Sequence, residues 1–297
     1  MKSLNELLPV FVDRRVRFLA WASLAAQILI VGTGGAVRLT GSGLGCPSWP
    51  QCTAESLVAT PELGIHGAIE FGNRLMTFVL IIIALAMFLA VLRQRSARPD
   101  LFALSLVQGL SIPAQAVLGG ITVLTGLNSY LVGAHFLVSV ALVVITTILV
   151  YRVYYGRRGT ERVGSLWLML TAHLTSLLVA VTVIVGVLTT GSGPHAGDVD
   201  TPRNGLDPEL LQHFHSWPAY ATLAGTIIIV LGGLRLGDRR LIRFGVLLLG
   251  IEFAQVAVGL AQANLGLPEL LVGVHMVLAC CLVSAMTAVV LSLRARS

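Results

Sequence analysis

Apolar runs about 20 residues long recur along this chain, separated by short polar breaks, and they constrain its fold more than any other feature. A helix needs about 20 mostly apolar residues to cross a bilayer, and in hydrocarbon every backbone N–H and C=O must be bonded inside the segment itself. Eight such runs fall near 18–37, 66–92, 101–125, 130–151, 164–190, 209–234, 241–263 and 269–293. The chain is 56% apolar and 11% charged, with a mean hydropathy of +0.86, whereas soluble domains carry about 25% charged residues. An ordinary soluble enzyme is excluded, and little chain is left over for a soluble domain. Met1 to Arg17 has no apolar core of its own, and no clear small-residue cleavage site follows the first run. That run is therefore expected to stay as a helix and not to leave as a signal peptide.

Basic residues set the orientation, because loops that stay in the cytoplasm retain Lys and Arg near the span ends. Of the 20 basic residues, 17 fall before span one, after spans two, four and six, and at the C-terminus. The opposite loops hold only Arg38 and Arg203, against Glu55, Glu62, Asp198, Asp200, Asp207, Glu209 and Glu269. Both termini are thus expected in the cytoplasm, with the protein multi-pass in the membrane. The net charge of +6 reports this topology and gives no reason to expect nucleic-acid binding.

An internal repeat organises the chain. Ile30-Val31-Gly32 and Thr40-Gly41-Ser42-Gly43 are echoed by Ile184-Val185-Gly186 and Thr190-Gly191-Ser192-Gly193. Gln115 and Leu131-Val132-Gly133-Ala134-His135 are echoed by Gln255 and Leu271-Val272-Gly273-Val274-His275. Each half has an even number of spans, so both halves share one orientation and a pseudo-two-fold axis should run along the membrane normal. The expected fold is all-α and integral to the membrane: eight transmembrane helices as two pseudo-two-fold related four-helix bundles, 1–155 and 156–297, joined by the basic Arg152 to Arg162 loop.

Polar groups inside spans are expensive and need a reason. His66, His135, His215 and His275 lie in the first turns of spans two, four, six and eight, which all run inward, so all four sit toward the outer face. Two histidines on facing helices can ligate one haem iron from either side of the macrocycle. In the second half His215 and His275 would leave no open position on the iron, which suits electron transfer. The alternative is a pair of packing or interfacial histidines bonded to neighbours. His213 competes with His215, but two positions turn a helix by roughly 200°, so one alone can face the bundle, and His215 precedes the long apolar run.

In the first half, offsets of four and seven put His66, Glu70 and Asn73 on one helix face, with Arg74 following. A Glu inside a span beside a possible haem can act as acid, base or cation stabiliser. A Glu70–Arg74 helix pair without chemistry is the plainer alternative. Cys46 and Cys52 flank Pro-Ser-Trp-Pro-Gln in the first outer loop, where a disulfide can persist. Cys280 and Cys281 are adjacent within the last span and read as small packing residues. His173 is expected to be buried and hydrogen-bonded, and His195 solvated in an outer loop. Glu252, one turn from Gln255, either lines a polar cavity or bonds a neighbouring helix. Thr40-Gly41-Ser42-Gly43 has no Lys and no helix after it, so it is a turn and not a phosphate loop.

Residues 35–52, Gly-Ala-Val-Arg-Leu-Thr-Gly-Ser-Gly-Leu-Gly-Cys-Pro-Ser-Trp-Pro-Gln-Cys, together with the Glu70 to Arg74 segment, Ala134-His135-Phe136, the His215 segment and Val274-His275, resemble the haem A synthase family over nearly the whole chain. The resemblance implies oxidation of the C8 methyl of haem O to a formyl group by successive hydroxylation, supplying haem A to terminal oxidases. It implies haem B as cofactor, with His215 and His275 as axial iron ligands, and haem O as substrate near His135. The family's functional glutamate falls on Glu70, and its outer-loop cysteine pair on Cys46 and Cys52. The implied partners are the lipid bilayer, haem O, a haem O synthase and an electron acceptor of unknown identity. One departure matters: family members commonly have Glu-x-x-His-Arg in span two, and the histidine position here is Asn73. Either His135 alone holds the substrate iron, or His66 takes over from two turns away, or Asn73 only hydrogen-bonds. The second cysteine pair of some members is also missing from the second half.

Two other classes compete. A di-haem b-type cytochrome passing electrons across the membrane usually wants haems near both faces, while all four histidines here lie toward one. A transporter built of repeated bundles would explain the duplication but neither the paired histidines nor the cysteine loop. Orientation is testable directly: alkaline phosphatase fused after Ser297 should be inactive in intact cells, and the same reporter inserted after Val58 active. The reverse pattern would overturn the assigned topology.

Overall fold

The computed structural model describes residues 8–195, 197–198 and 200–296. Eight helices long and apolar enough to cross a membrane occur among them: α1 (Arg14–Leu39), α2 (Gly64–Leu92), α3 (Pro99–Leu124), α4 (Ser129–Tyr155), α5 (Leu166–Ser192), α6 (Pro208–Leu236), α7 (Arg239–Asn264) and α8 (Glu269–Ser292). They match the eight apolar runs to within a few residues. Polar caps set several starts. Asp13, Asn128, Ser165, Asp207 and Asp238 each accept hydrogen bonds from first-turn N–H groups, satisfying donors that have no partner inside the helix. Pro99 and Pro208 open α3 and α6, where a missing N–H costs nothing.

Each half closes into a ring. Helices α1, α2, α3 and α4 pack in sequence with α4 returning to α1, and α5 to α8 do the same. Between halves, α4 packs on α8, α1 on α8 and α4 on α5. Exchanging α1 with α5 and α4 with α8 leaves this pattern unchanged, as a two-fold axis passing between α4 and α8 requires. The repeat reaches finer detail. Both the α3–α4 and α7–α8 turns contain a Gly-Leu pair with positive φ, at Gly126-Leu127 and Gly266-Leu267. In each, the Leu N–H donates at 2.8 Å to a carbonyl in the last turn before it, Thr122 or Gln262. Gly133 meets Val187 across α4–α5, and Gly273 meets Leu39 across α8–α1. Small residues at equivalent places let the helices approach, the usual basis of packing where lipid tails are as apolar as the side chains.

One continuous core, including Leu24, Met87, Leu149, Ile229, Leu248 and Met286, runs through both halves. Thr147 donates to Ser284 at 2.8 Å across the α4–α8 contact. Large apolar side chains such as Phe18, Ile82, Trp167 and Leu270 point outward, as a lipid-facing surface should and a water-facing one should not. An addition to the all-α expectation is a two-stranded antiparallel ladder, β1 (Arg158–Arg162) with β2 (Arg294–Arg296), which ties the linker between halves to the C-terminal segment. Sequence patterning anticipated only a basic loop there, because three to five residues are too few to carry a strand period.

Close helix approach predicts where a methyl group is not tolerated. A Cβ at Gly225 on α6 would collide with Thr175 on α5, while Gly250 on α7 has open space around it. Gly225→Ala should destabilise the detergent-solubilised protein by about 1–3 kcal/mol, seen as a lowered thermal midpoint. Gly250→Ala should leave the midpoint unchanged or raise it slightly. Equal midpoints for the two variants would mean that α5 and α6 do not meet at this point.

Candidate functional site

The first bundle holds a partly open cavity of about 420 Å³ lined by all four of its helices, by Trp49 and Pro50 of the outer loop, and by Met276 of α8. Pockets of this size hold small organic ligands and cofactors. Glu70, Asn73, Arg74 and His135 all line it, so four of the residues singled out in the first half come together.

A salt bridge within α2 builds the outer roof. Arg74 pairs with Glu70 one turn away, and its remaining donors reach the carbonyls of Cys46 at 3.1 Å, Ser48 at 3.0 Å and Gln51 at 3.1 Å. Glu70 Oε2 accepts the Cys46 N–H at 2.6 Å. The segment so gripped is the loop closed by the Cys46–Cys52 disulfide, and both cysteines are buried. Trp49, carried by this loop, lies flat enough on α3 that any side chain at Gly120 would overlap its indole. The helix pair that appeared as the plainer alternative is thus present, and the same carboxylate faces the cavity.

His135 is set by its surroundings on α3 and α4. Gln115 donates to the His135 carbonyl at 3.2 Å and to Ser139 Oγ at 2.7 Å. Gly119 leaves room for the ring, since a Cβ there would sit 3.3 Å from the imidazole. The buried Nδ1 of His135 has no partner among the described residues. Asn73 accepts a 2.7 Å hydrogen bond from Thr33 on α1. His66 does not join this group. It is exposed, bonds Ser42 Oγ through Nδ1 at 2.9 Å, and is absent from the cavity lining. Seven residues along a helix is ~10 Å, so sharing a face with Asn73 leaves His66 level with the roof loop, whose Gly45 packs on its backbone.

In the second bundle, His215 on α6 and His275 on α8 face one another with ring centroids 6.1 Å apart. Histidine nitrogens bind metals at ~2 Å, so two rings flanking one ion have centroids about that far apart. The His215 Nδ1 lies 2.9 Å from the Thr182 carbonyl. A carbonyl can only accept, so Nδ1 carries the proton and Nε2 keeps its lone pair for a metal. His275 is buttressed by Gly259 as His135 is by Gly119, and its buried Nδ1 also lacks a partner among the described residues. His213 is exposed and packs beside Trp217. No cluster of three or more His, Cys, Asp or Glu able to hold a bare metal ion occurs among the described residues. Two opposed imidazoles do suit an iron whose other four ligands come from a tetrapyrrole, so the donor set fits haem.

Three secondary assignments are settled. His173 is exposed on the outward face of α5, not buried as its depth in the span implied, because position along a helix says nothing about rotation. His195 is not solvated: its Nε2 bonds the Leu267 carbonyl at 2.8 Å and its own carbonyl accepts from Arg38 at 2.7 Å. Glu252 is buried and accepts from Thr226 at 2.7 Å, joining α7 to α6. Cys280 is buried and Cys281 half-buried, both as free thiols. Trp49 and Arg38 were not singled out in the sequence as cavity residues. The signal for Trp49 was its position between two prolines in a short disulfide loop.

Comparison with known proteins finds similar sequences among heme A synthases. The chain is 30% identical over 154 residues to a heme A synthase of Geobacillus thermodenitrificans, covering 52% of this chain and 48% of that one. It is 33% identical over 146 residues to the heme A synthase of Lysinibacillus sphaericus, covering 46% of each. With the heme A synthase of Staphylococcus epidermidis it shares 26% identity over 248 residues, covering 78% of this chain and 80% of that one. The chain thus spans about half the length of the first two relatives and four-fifths of the third. A match to the COX15-CtaA family, cytochrome oxidase assembly protein, runs over residues 17–287. That stretch reaches from the first helix into the last and takes in His135 and the His215–His275 pair, and the chain belongs to this family.

Proposed function

We propose that this protein is a membrane haem A synthase that oxidises the C8 methyl of haem O to a formyl group by successive hydroxylation. On this assignment residues 1–155 hold haem O as substrate and residues 156–297 hold haem B. The observation that carries it is the joint lining of one cavity by an imidazole, His135, and a buried carboxylate, Glu70, with a second, paired imidazole site on the far side of α8. The names of the relatives point the same way.

His215 and His275 would hold the haem B iron, a resident group able to carry single electrons. The chain's own groups do the rest. His135 offers one imidazole to the substrate iron. Asn73, already occupied by Thr33, is a poor iron ligand, so a single axial imidazole holds a molecule that must leave as product. Glu70 is fixed by Arg74 and the Cys46 N–H, and from that position it takes up a proton or stabilises positive charge developing at the methyl carbon. Trp49 and Pro50 of the disulfide loop line the cavity, and apolar walls there strengthen the charge interactions inside.

Haems extracted from the protein expressed with and without a haem O supply test the assignment. Haem B together with haem O, hydroxylated haem or haem A is expected. Haem B alone under both conditions would favour an electron-carrying cytochrome, and no haem at all a transporter. In the same assay Glu70→Gln should keep haem B while lowering formyl product by at least about tenfold, and an unchanged haem A yield would remove Glu70 from the mechanism. His215→Ala and His275→Ala should each lose haem B, and full retention of haem B in both would overturn their assignment as ligands.

A further inference from the structure

Arg38 is a cation at the cavity with no anion to meet it. It lies in the last turn of α1 and lines the cavity. Its Nε donates to the His195 carbonyl at 2.7 Å and its Nη2 to the Thr190 carbonyl at 3.1 Å. No carboxylate pairs with it and Nη1 makes no hydrogen bond among the described residues. Arg74, the other arginine of the lining, differs on both counts, being paired with Glu70 and spent on loop carbonyls. A guanidinium placed in a largely apolar setting is costly unless paired, and its fork matches a carboxylate. Arg38 is moreover held by the other half of the molecule, through the end of α5 and a loop itself tied to Leu267. It is therefore positioned and not free to swing to solvent.

We propose that Arg38 binds a carboxylate of the cavity's ligand and so fixes its rotation within the cavity. Resting on the haem O assignment, the carboxylate is a propionate of the tetrapyrrole. Counted along the helices, Arg38 lies one residue from the outer end of α1 while His135 lies six residues inside α4, ~7.5 Å deeper. That is about the reach from the iron of a tetrapyrrole to its carboxylates. The two propionates share one edge of the macrocycle, and the methyl group that becomes formyl is next to one of them. Anchoring that edge at Arg38 fixes which side of the ring carries this methyl within a cavity that Glu70 also lines. The two methyls beside the hydrophobic substituents are turned away, while the methyl flanking the second propionate shares the anchored edge.

The test compares ferric iron protoporphyrin with its dimethyl ester, which has the same ring and no carboxylates. Each is titrated into the purified full chain and followed by absorbance, with His135→Ala defining the portion bound in the cavity. That portion should bind the free acid at least about tenfold more tightly than the ester. Arg38→Gln should bring the acid to the level of the ester and leave the ester unchanged, and Arg38→Lys should restore part of the preference. Equal binding of acid and ester by the unaltered chain would overturn the inference without any variant, as would an Arg38→Gln chain that weakens both alike. If no binding depends on His135, the assignment of the cavity to a tetrapyrrole fails and the role of Arg38 fails with it.

Discussion

The outer half of the cavity depends on the ion pair between Glu70 and Arg74. A guanidinium has five donors and a carboxylate about four acceptor positions, far more than one helix can use, and the surplus is directed at the loop from Cys46 to Gln51. The loop has no regular structure to satisfy its own backbone, so the pair supplies partners that helix or sheet would otherwise give. The disulfide shortens the loop until its carbonyls converge on one cation. Trp49 can then lie across Gly120 as a wall. Removing either charge would loosen the roof and also leave the other stranded, which is why a group suited to chemistry at this point is also structural.

The hydrophobic pattern was enough to read the spans, because a segment in lipid must satisfy its own backbone and only a long apolar helix does so. The repeat and the charge asymmetry were legible for a similar reason, each being a property of the sequence summed over many residues. Rotation and close approach were not. His66 and Asn73 share a face by spacing, yet only Asn73 reaches the cavity, since depth along the axis matters as much as angle. His173 lies deep in its span but turns outward, and His195 looked like a loop residue but links two loops across the halves. Arg38 passed for an ordinary outer-loop charge until the end of α5 was seen to hold it. Such facts depend on which helices meet, and local pattern does not encode that.

The duplication separates what is shared from what is specific. The α3–α4 and α7–α8 units keep the same turn, the same glycine under the histidine and the same small-residue contacts with the opposite half. Adjacent residues on α8 serve both sites, His275 facing His215 and Met276 lining the first cavity. One position along a helix is a turn of about 100°, so the two sites share a wall one helix thick. The cavity and the imidazole pair are neighbours by construction.

What differs between halves lies on α1, α2 and the loop joining them: the disulfide loop, Glu70, Arg74 and Arg38 have no counterparts in the second half. Across from the conserved imidazole, Asn73 is bonded to Thr33 on α1 where His215 is bonded to the Thr182 carbonyl on α5. Both facing groups are thus steered by the first helix of their own half, but one is an amide and the other an imidazole with a free nitrogen. Two imidazoles suit a group that stays, and one suits a group that must depart. With the proposed function, the first half would bind its substrate by packing and charge, through the roof loop and Arg38, in place of the second metal bond. Tight recognition of the ring's edge is then compatible with release, because a propionate held by hydrogen bonds exchanges with water more readily than a second axial ligand leaves iron.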